Sequence, residues 1–204
     1  MTEPEYLVPR EQVSRIVLAE PTEVWARQYA VEDALIREAL GDALTGLHHA
    51  GSTSVPGLAA KPVVDIVLTV PDASDEDAYV PALEGVGYEF HLREPHWHEH
   101  RLLKKGVPHF DPDRSSDVPA VNLHVFPDGS EEAHRMLSFR DHLRRDEGDR
   151  QLYEDTKRSL AGRTWDRVQD YADAKSDVVA DIMRRALQAS NGEGSPAPTR
   201  TTSG

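Results

Sequence analysis

The sequence predicts an α/β (α+β) protein, with a mixed β-sheet flanked by helices and followed by a C-terminal helical segment. Residues 62–70 are β-branched and nearly all apolar, which is typical of a central strand covered on both faces. Residues 121–126 alternate polar and apolar side chains, as a strand does. From Ser130 onward the apolar side chains recur at helical spacing, and this change of period marks the start of the helical segment.

The chain divides into four predicted parts. A polar N-terminal arm at 1–14 precedes the α/β core at 15–129, and the helical segment at 130–189 packs on that core. The remaining residues, 190–204, are mostly Asn, Gly, Ser, Pro and Thr, a composition that predicts a disordered tail. No internal repeat is visible, so we expect one domain with a helical extension.

Period and turn residues place the elements of the core in order. Thr22 is the expected N-cap of an amphipathic first helix that buries Trp25 and Ile36. A second helix ends near Gly87, and a turn at 127–129 ends the last strand. The predicted strands are 15–19, 44–50, 62–70, 88–92, 101–104 and 121–126, the predicted helices are 23–44 and 79–86, and 108–119 is a predicted loop.

Three helices are predicted in the helical segment, and Gly148 and Gly162 separate them. The third of these helices carries Tyr171 and Ile182 on its apolar face and continues to Ala186. Each helix has one apolar face, so we expect the three to pack together against the core.

The composition excludes several classes of protein. Acidic residues outnumber basic ones 36 to 23 in the 204-residue chain, and the net charge is −13. Because affinity for a nucleic-acid backbone comes from Lys and Arg, a general nucleic-acid partner is not expected. The absence of Cys excludes disulfides, thiolate metal sites and Cys nucleophiles. No apolar run approaches the length of a membrane span, so we expect a soluble cytoplasmic protein without a membrane partner. The oligomeric state stays open.

The most informative local pattern is a Gly-Ser turn before the apolar strand. At Gly51 and Ser52, backbone N–H groups and a hydroxyl can approach a phosphate, and Asp65 on the following strand can hold a metal ion. Two ordinary interpretations compete with this one. Ser52 can simply cap a helical turn, and Asp65 can pair with Lys61 or cap a neighbouring turn.

Residues 51–66 also resemble the signature of the GrpB family. Downstream runs at 122–126, 139–144 and 153–161 agree with that family in the same order, and the resemblance covers roughly residues 15–188. Domains similar to GrpB are placed in the nucleotidyltransferase superfamily, and some are fused behind dephospho-CoA kinase. The resemblance therefore implies a nucleotidyltransferase-like fold for this chain.

The superfamily pattern is a Gly-Ser turn, two acids at alternate positions of the next strand, and a third acid on a later strand. Gly51, Ser52 and Asp65 match the turn and the first acid, whereas Val67 stands at the second position. On the later strand the polar residues are Asn122 and His124, which share one face. The resemblance implies Mg²⁺ at Asp65, but two-metal chemistry needs more carboxylates than these residues supply.

Three functions fit this pattern. The leading one is transfer of a nucleotidyl group from a nucleoside triphosphate to a small-molecule acceptor, with Asp65 and His124 as catalytic residues. The alternative is a non-catalytic module that binds a nucleotide or a CoA-type ligand on the same fold, which Val67 favours. A third is an enzyme that uses His124 as its base. All three take a phosphorylated small molecule as partner.

Basic side chains complete the predicted ligand site. Lys61 precedes Pro62 and is therefore held in an extended approach to the strand, where it contacts either phosphate or Asp65. Arg140 and Lys157 on the C-terminal helices are candidates for phosphate contact, and ion pairs with Asp141 or Glu154 are the alternative. Arg144 and Lys175 lie on the same helices without a pattern that distinguishes them.

Three alternating histidines, His96, His98 and His100, form a further candidate metal site. In an extended segment their imidazoles share one face and can bind Zn²⁺ or Ni²⁺. A solvated loop or an edge that contacts substrate is the alternative, because the run follows Pro95 and lies between two predicted strands.

Overall fold

A six-stranded mixed β-sheet forms the centre of the protein in a computed structural model, which describes residues 4–8, 16–106 and 119–192. The predicted loop at 108–119, except its last residue, lies outside these ranges. Most of the predicted arm and the predicted tail from residue 193 also lie outside them. The α/β class and the separate C-terminal helical segment are confirmed.

The strand order is β1-β4-β5-β6-β3-β2. Only β3 and β6 are parallel in the described sheet, and the other neighbours are antiparallel. As predicted, the apolar strand β3 is internal, between β6 and β2. The strands are β1 (Glu5–Tyr6), β2 (Gly46–Ala50), β3 (Val63–Val70), β4 (Glu89–Glu94), β5 (His100–Lys105) and β6 (Ala120–Pro127).

Helices cover both faces of the sheet. Thr22 is the N-cap of the first helix, as predicted, and its side chain accepts a hydrogen bond from the Val24 N–H. That helix ends earlier than predicted because Gly41 adopts a left-handed φ of 52°. The helices are α1 (Glu23–Leu40), α2 (Val80–Gly85), α3 (Glu131–Arg145), α4 (Glu147–Ala161), α5 (Val168–Asp173) and α6 (Ser176–Gly192).

The side chains of β3 alternate between two apolar clusters. Ile66 and Leu68 face the cluster formed with α1 and α2. Val67 points to the opposite face, where it is fully buried against Phe126 and Ala133 of β6 and α3. Since alternate residues of a strand share a face, Asp65 lies on the α3 side of the sheet.

Two predicted elements are wrong. The described part of the predicted strand, 16–19, does not form a strand, because Ala19 makes only an isolated bridge to Ala60. The predicted third C-terminal helix is two helices, α5 and α6. A turn at 174–175 separates them. Tyr171 of α5 packs with Ile16 and Leu160, whereas Ile182 of α6 packs in a different cluster with Val55 and Leu143.

Two further details were not anticipated. The strand β1 lies inside the predicted arm and pairs with β4 at the edge of the sheet. Helix α6 extends three residues past the predicted end of the helical segment at 189, to Gly192. No helix in the described ranges is long and apolar enough to cross a membrane.

Candidate functional site

A cavity of about 270 Å³ lies between the sheet and the C-terminal helices. It brings together seven residues that the sequence predicted from separate motifs, which are Gly51, Ser52, Lys61, Asp65, Asn122, Arg140 and Lys157. The predicted arrangement of the turn is confirmed, because β2 ends at Ala50, which pairs with Asp65 on the adjacent strand. The turn and the acid therefore open into one cleft.

Gly51 is required at the turn for two reasons. Its φ of 65° lies in the left-handed region, where residues with a side chain are strained. A Cβ at this position would also lie 2.9 Å from Cγ of Asp65, and its carboxylate oxygen Oδ2 would be nearer still. The absence of a side chain at Gly51 therefore lets the backbone approach Asp65.

Asp65 is held by residues of the neighbouring strand β6. Its Oδ1 accepts a hydrogen bond from Asn122 Nδ2 at 2.9 Å and lies 3.7 Å from His124 Nε2. Burial raises the pKa of Asp65, but His124 and Asn122 outweigh burial, so the pKa of this carboxyl lies below its usual value. The positive charge of Lys61, the partner considered from the sequence, also lowers the pKa of Asp65.

His124 is the end of a line of hydrogen-bonded groups. Its Nδ1 lies 3.0 Å from His100 Nε2, and His100 Nδ1 lies 2.7 Å from a carboxylate oxygen of Glu94. Burial lowers the pKa of His100 to about 4 against the opposing effect of Glu94, so this ring is neutral near pH 7.

The three alternating histidines do not share one face, and the loop considered as the alternative is what the structure has at His96 and His98. The residues between β4 and β5 form a turn, in which His96 and His98 are exposed and His98 has a left-handed φ of 53°. Only His100 points inward, because it is the first residue of β5.

Lys157 and Glu154 of α4 both bind the peptide groups of Ala59. Lys157 Nζ donates to the Ala59 carbonyl, and Glu154 Oε2 accepts from the Ala59 N–H at 3.2 Å. The other Glu154 oxygen pairs with Arg158 at 2.7 Å. Lys157 is thus fixed at the cavity wall by the backbone, and the alternative of an ion pair with Glu154 is not what the described contacts show.

Arg140 reaches the cavity but is already engaged. Its Nε and one terminal nitrogen donate to Asp141 at 2.7 and 3.0 Å, and the other terminal nitrogen donates to the His49 carbonyl at 2.8 Å. The Asp141 pair is the alternative considered from the sequence. Contact of Arg140 with phosphate therefore stays a prediction.

Two cavity residues that no sequence motif selected are Tyr171 and Lys175. The Tyr171 hydroxyl is fully buried and has no hydrogen-bond partner among the residues described. Lys175 Nζ lies 4.4 Å from the centre of the Tyr171 ring, and Lys157 Nζ lies 4.8 Å from that of Tyr153. The repeated Tyr-x-x-x-Lys spacing is the sequence signal that links these two pairs.

The expected Mg²⁺ does not fit these residues. Mg²⁺ prefers an octahedral set of oxygen ligands. Asp65 is the one carboxylate lining the cavity among the described residues, Asn122 turns its amide nitrogen toward it, and His124 supplies a nitrogen. The second acid position, Val67, is buried beneath α3. A magnesium site of the superfamily type is therefore incomplete.

A separate group of potential metal ligands, His142, Asp146 and Asp149, lies where α3 meets α4. Its members already have other partners. Asp146 accepts from the Asp149 N–H as the N-cap of α4, and Asp149 binds both His142 and Arg185. Because the Arg185 guanidinium contacts both Asp149 oxygens, at 2.9 and 3.0 Å, this group is a capping and ion-pair cluster.

Known proteins similar to this chain agree with the sequence resemblance. A family model described as GrpB protein matches residues 15–185. A UPF0157 protein of Halalkalibacterium halodurans is 48% identical over 171 residues, covering 84% of this chain and 82% of the relative. A UPF0157 protein of Streptomyces coelicolor is 46% identical over 162 residues, covering 79% of both.

A solved structure of the same family also aligns with this chain. The crystal structure of the conserved protein GrpB from Enterococcus faecalis aligns with a TM-score of 0.64 and 27% identity, over 85% of this chain and 98% of that chain. The MgGTP-bound Cid1 poly(U) polymerase aligns with a TM-score of 0.39 and 11% identity over 64% of this chain and 42% of that chain, too distant a likeness to bear on function. The matched residues and the relatives together place this chain in the GrpB family.

Proposed function

We propose that the cavity binds the phosphate groups of a nucleotide and that the protein transfers the nucleotidyl group to a small-molecule acceptor. The observation that carries this proposal is the arrangement of a buried lysine, a half-buried lysine and an unpartnered buried hydroxyl beside Asp65. Lys157, Lys175 and Tyr171 all line the same cavity as Asp65, and the Tyr171 hydroxyl has no partner in the described ranges.

The charge of the cavity is opposite to that of the whole protein. The chain carries a net charge of −13, yet the described lining contains Lys61, Lys157 and Lys175 against the single acid Asp65. The lining arginines are paired with acidic neighbours, so these lysines dominate the local field. A buried lysine is stabilised in its charged form by an anion, which makes phosphate the ligand that best fits this end of the cavity.

The size of the site suits a phosphorylated small molecule. The cavity of about 270 Å³ is near the lower limit of about 300 Å³ for ligand pockets. A neighbouring cavity of about 390 Å³ shares Arg135, Tyr153, Lys175 and Val179 with it and adds Ala172 and Met183. The first space accommodates phosphates, and the second offers apolar surface to the remainder of the ligand.

In the transfer reaction the acceptor oxygen attacks the α-phosphorus, and pyrophosphate leaves with the electrons of the broken bond. Lys157 and Lys175 would stabilise the charge that develops on the leaving group. The backbone of the turn at Gly51 and the Ser52 hydroxyl, which lines the cavity together with Tyr153, would orient the phosphates. Asp65, which lines the cavity, is the group positioned to accept the acceptor proton, whereas His124 lies 3.7 Å from it and is not among the described lining residues.

A second candidate function is non-catalytic binding of a nucleotide or a CoA-type ligand. The burial of Val67 favours it, because an apolar side chain under α3 occupies the position where the superfamily pattern has its second acid. Binding requires the lysines and the turn but not that acid.

Product analysis separates the two functions. Wild-type protein and Asp65→Asn are incubated with nucleoside triphosphates and a panel of small acceptors, with Mg²⁺ or Mn²⁺, and products are identified by mass spectrometry. Enzymatic function predicts a nucleotidylated acceptor and pyrophosphate with the wild type and strongly reduced product with Asp65→Asn. Tight nucleotide binding with no product under any of these conditions would contradict transfer and support the binding module.

A further inference from the structure

A line of four polar side chains runs across four adjacent strands and ends at the cavity. Glu94 of β4, His100 of β5, His124 of β6 and Asp65 of β3 contribute one side chain each. The successive distances are 2.7, 3.0 and 3.7 Å. The sheet order therefore brings together residues that are far apart in the sequence.

The hydrogen-bonding capacity of these groups allows an order of protons that leaves His124 Nε2 free for a metal ion. A carboxylate only accepts, so His100 Nδ1 donates to Glu94. When the hydrogen bond between the two rings runs from His124 Nδ1 to His100 Nε2, the unprotonated nitrogen of His124 is Nε2, the atom that faces Asp65.

Packing holds this arrangement in place. His100 is 4% exposed and stacks on Phe126 with ring centres 4.8 Å apart. The His100 and His124 rings are also stacked, at 5.2 Å. The side chains of Asp65 and His124 remain 26% and 21% exposed. Asp65 lines the cavity, whereas His124 is not among its described lining residues.

The distance between Asp65 Oδ1 and His124 Nε2 suits two ligands of one ion. At 3.7 Å it is longer than a hydrogen bond. Two ligand atoms that each lie about 2.1 Å from one ion are roughly 3.0–3.5 Å apart in octahedral or tetrahedral geometry. A small rotation of either side chain closes the difference, and Asn122 Nδ2 donates to the same Oδ1 and so fixes its position.

We propose that Asp65 and His124 bind one divalent first-row transition-metal ion in preference to Mg²⁺, and that Glu94 and His100 orient His124 for this role. A neutral imidazole beside a carboxylate favours such ions over Mg²⁺, which prefers oxygen ligands throughout. The His100–Glu94 pair matches the usual support of a metal-binding imidazole, whose second nitrogen donates to a neighbouring group. With two protein ligands, most coordination positions stay open to water or phosphate oxygens.

Mn²⁺ alone is the probe, so the test does not depend on any nucleotide or on the proposed function. Pulsed electron paramagnetic resonance of Mn²⁺-loaded wild-type protein should show magnetic coupling to a nitrogen nucleus. His124→Gln should abolish that coupling and weaken Mn²⁺ binding roughly tenfold or more. His96→Gln, which removes an exposed histidine from the turn between β4 and β5, should leave both unchanged.

The orienting role of His100 has its own variant. His100→Phe keeps an aromatic ring against Phe126 but removes the hydrogen bond to His124. It should retain nitrogen coupling while weakening Mn²⁺ binding roughly 10- to 100-fold, the usual effect of losing such support. An unchanged Mn²⁺ affinity in folded His100→Phe would overturn the orienting role.

Two results on the wild-type protein alone would contradict the proposed metal site, whether or not a variant folds. They are the absence of nitrogen coupling at saturating Mn²⁺ and the displacement of Mn²⁺ by an equal concentration of Mg²⁺. Coupling that persists in His124→Gln would assign the nitrogen to another histidine, such as His142 in the capping cluster, and would also contradict it.

Discussion

Lys157 and Lys175 line the same cavity, where burial and then the positive charge of Lys175 lower the pKa of Lys157 to about 7. Burial also lowers the pKa of Lys175 to about 8, and the negative charge of Asp65 partly offsets it. Both values lie below that of an ordinary lysine, so each ammonium carries a desolvation cost that a bound anion would relieve.

Phosphate binding should therefore be accompanied by proton uptake. A bound anion raises the pKa of both lysines, so the complex holds more protons than the free protein, and affinity falls as pH rises. We expect a loss of roughly two- to tenfold per pH unit between about pH 7 and 9. Calorimetric titration with pyrophosphate in buffers of different ionisation enthalpy measures the protons taken up. Proton release, or affinity that rises over this range, would contradict the assignment.

The close approach of Gly51 to Asp65 can be tested against a second glycine. Gly57 also has a left-handed φ, of 78°, but a Cβ there meets no atom within 4 Å. Gly57→Ala should cost about 1–2 kcal/mol of stability from backbone strain alone. Gly51→Ala adds a collision with the carboxylate, so the free energy of unfolding measured in urea should fall by about 1–3 kcal/mol more than it does in Gly57→Ala. Equal losses in the two variants would show that the contact is unimportant.

The unpartnered hydroxyl of Tyr171 should contribute to ligand binding but not to the stability of the fold. Burying a hydroxyl without a partner costs about 1–3 kcal/mol, so Tyr171→Phe should leave the free energy of unfolding unchanged or increase it. The same variant should weaken phosphate-ligand binding about five- to tenfold. Tyr79→Phe is the control, because the Tyr79 hydroxyl donates to the Ala73 carbonyl at 2.7 Å.

The control should behave in the opposite way. Tyr79 is not among the cavity-lining residues, so Tyr79→Phe should lose about 1 kcal/mol of stability and keep its ligand affinity. Thermal or urea unfolding gives the stability of each variant, and calorimetry gives the ligand affinity of each. If Tyr171→Phe destabilises the protein and binds ligand as well as the wild type does, the hydroxyl has no role in the site.

Restoring the second acid should be costly. Val67 is fully buried against Ala50, Phe126 and Ala133, so Val67→Asp places a carboxylate in an apolar cluster without a partner. We expect a loss of at least about 3 kcal/mol. Val67→Thr has a similar shape and should lose less. Urea unfolding with and without Mn²⁺ measures the stability of both variants. If Mn²⁺ restores the stability of Val67→Asp, the new carboxylate binds the ion. A Val67→Asp variant as stable as the wild type without metal would contradict the burial argument.

The sequence predicted the parts of the fold that depend on local pattern. The apolar run of β3 and the alternation of β6 identify strands because burial on one or both faces constrains each residue type. The two-residue strand β1 has too few residues for any period and depends on its pairing with β4. The break between α5 and α6 depends on which clusters Tyr171 and Ile182 enter, which is tertiary information.

In the candidate site, too, local sequence patterns predict some residues and tertiary contacts bring in the others. Gly51, Ser52 and Asp65 follow from a continuous motif, so sequence was sufficient to place them together. Glu94 and His100 reach Asp65 only through the order of four strands, and the turn before β5 invalidates the face predicted for the neighbouring histidines. No spacing in the sequence specifies contacts of that kind.

Calorimetric titration with the common nucleoside triphosphates and pyrophosphate tests the central claim, that the lysine-lined cavity binds nucleotide phosphates. Wild-type protein should bind at least one triphosphate, and Lys175→Gln should weaken that binding at least about tenfold, because it removes a charged contact from the cavity. Arg163→Gln removes an exposed positive charge and should bind as the wild type does. Absence of binding to every triphosphate and to pyrophosphate, or equal affinities of wild type and Lys175→Gln, would contradict the claim.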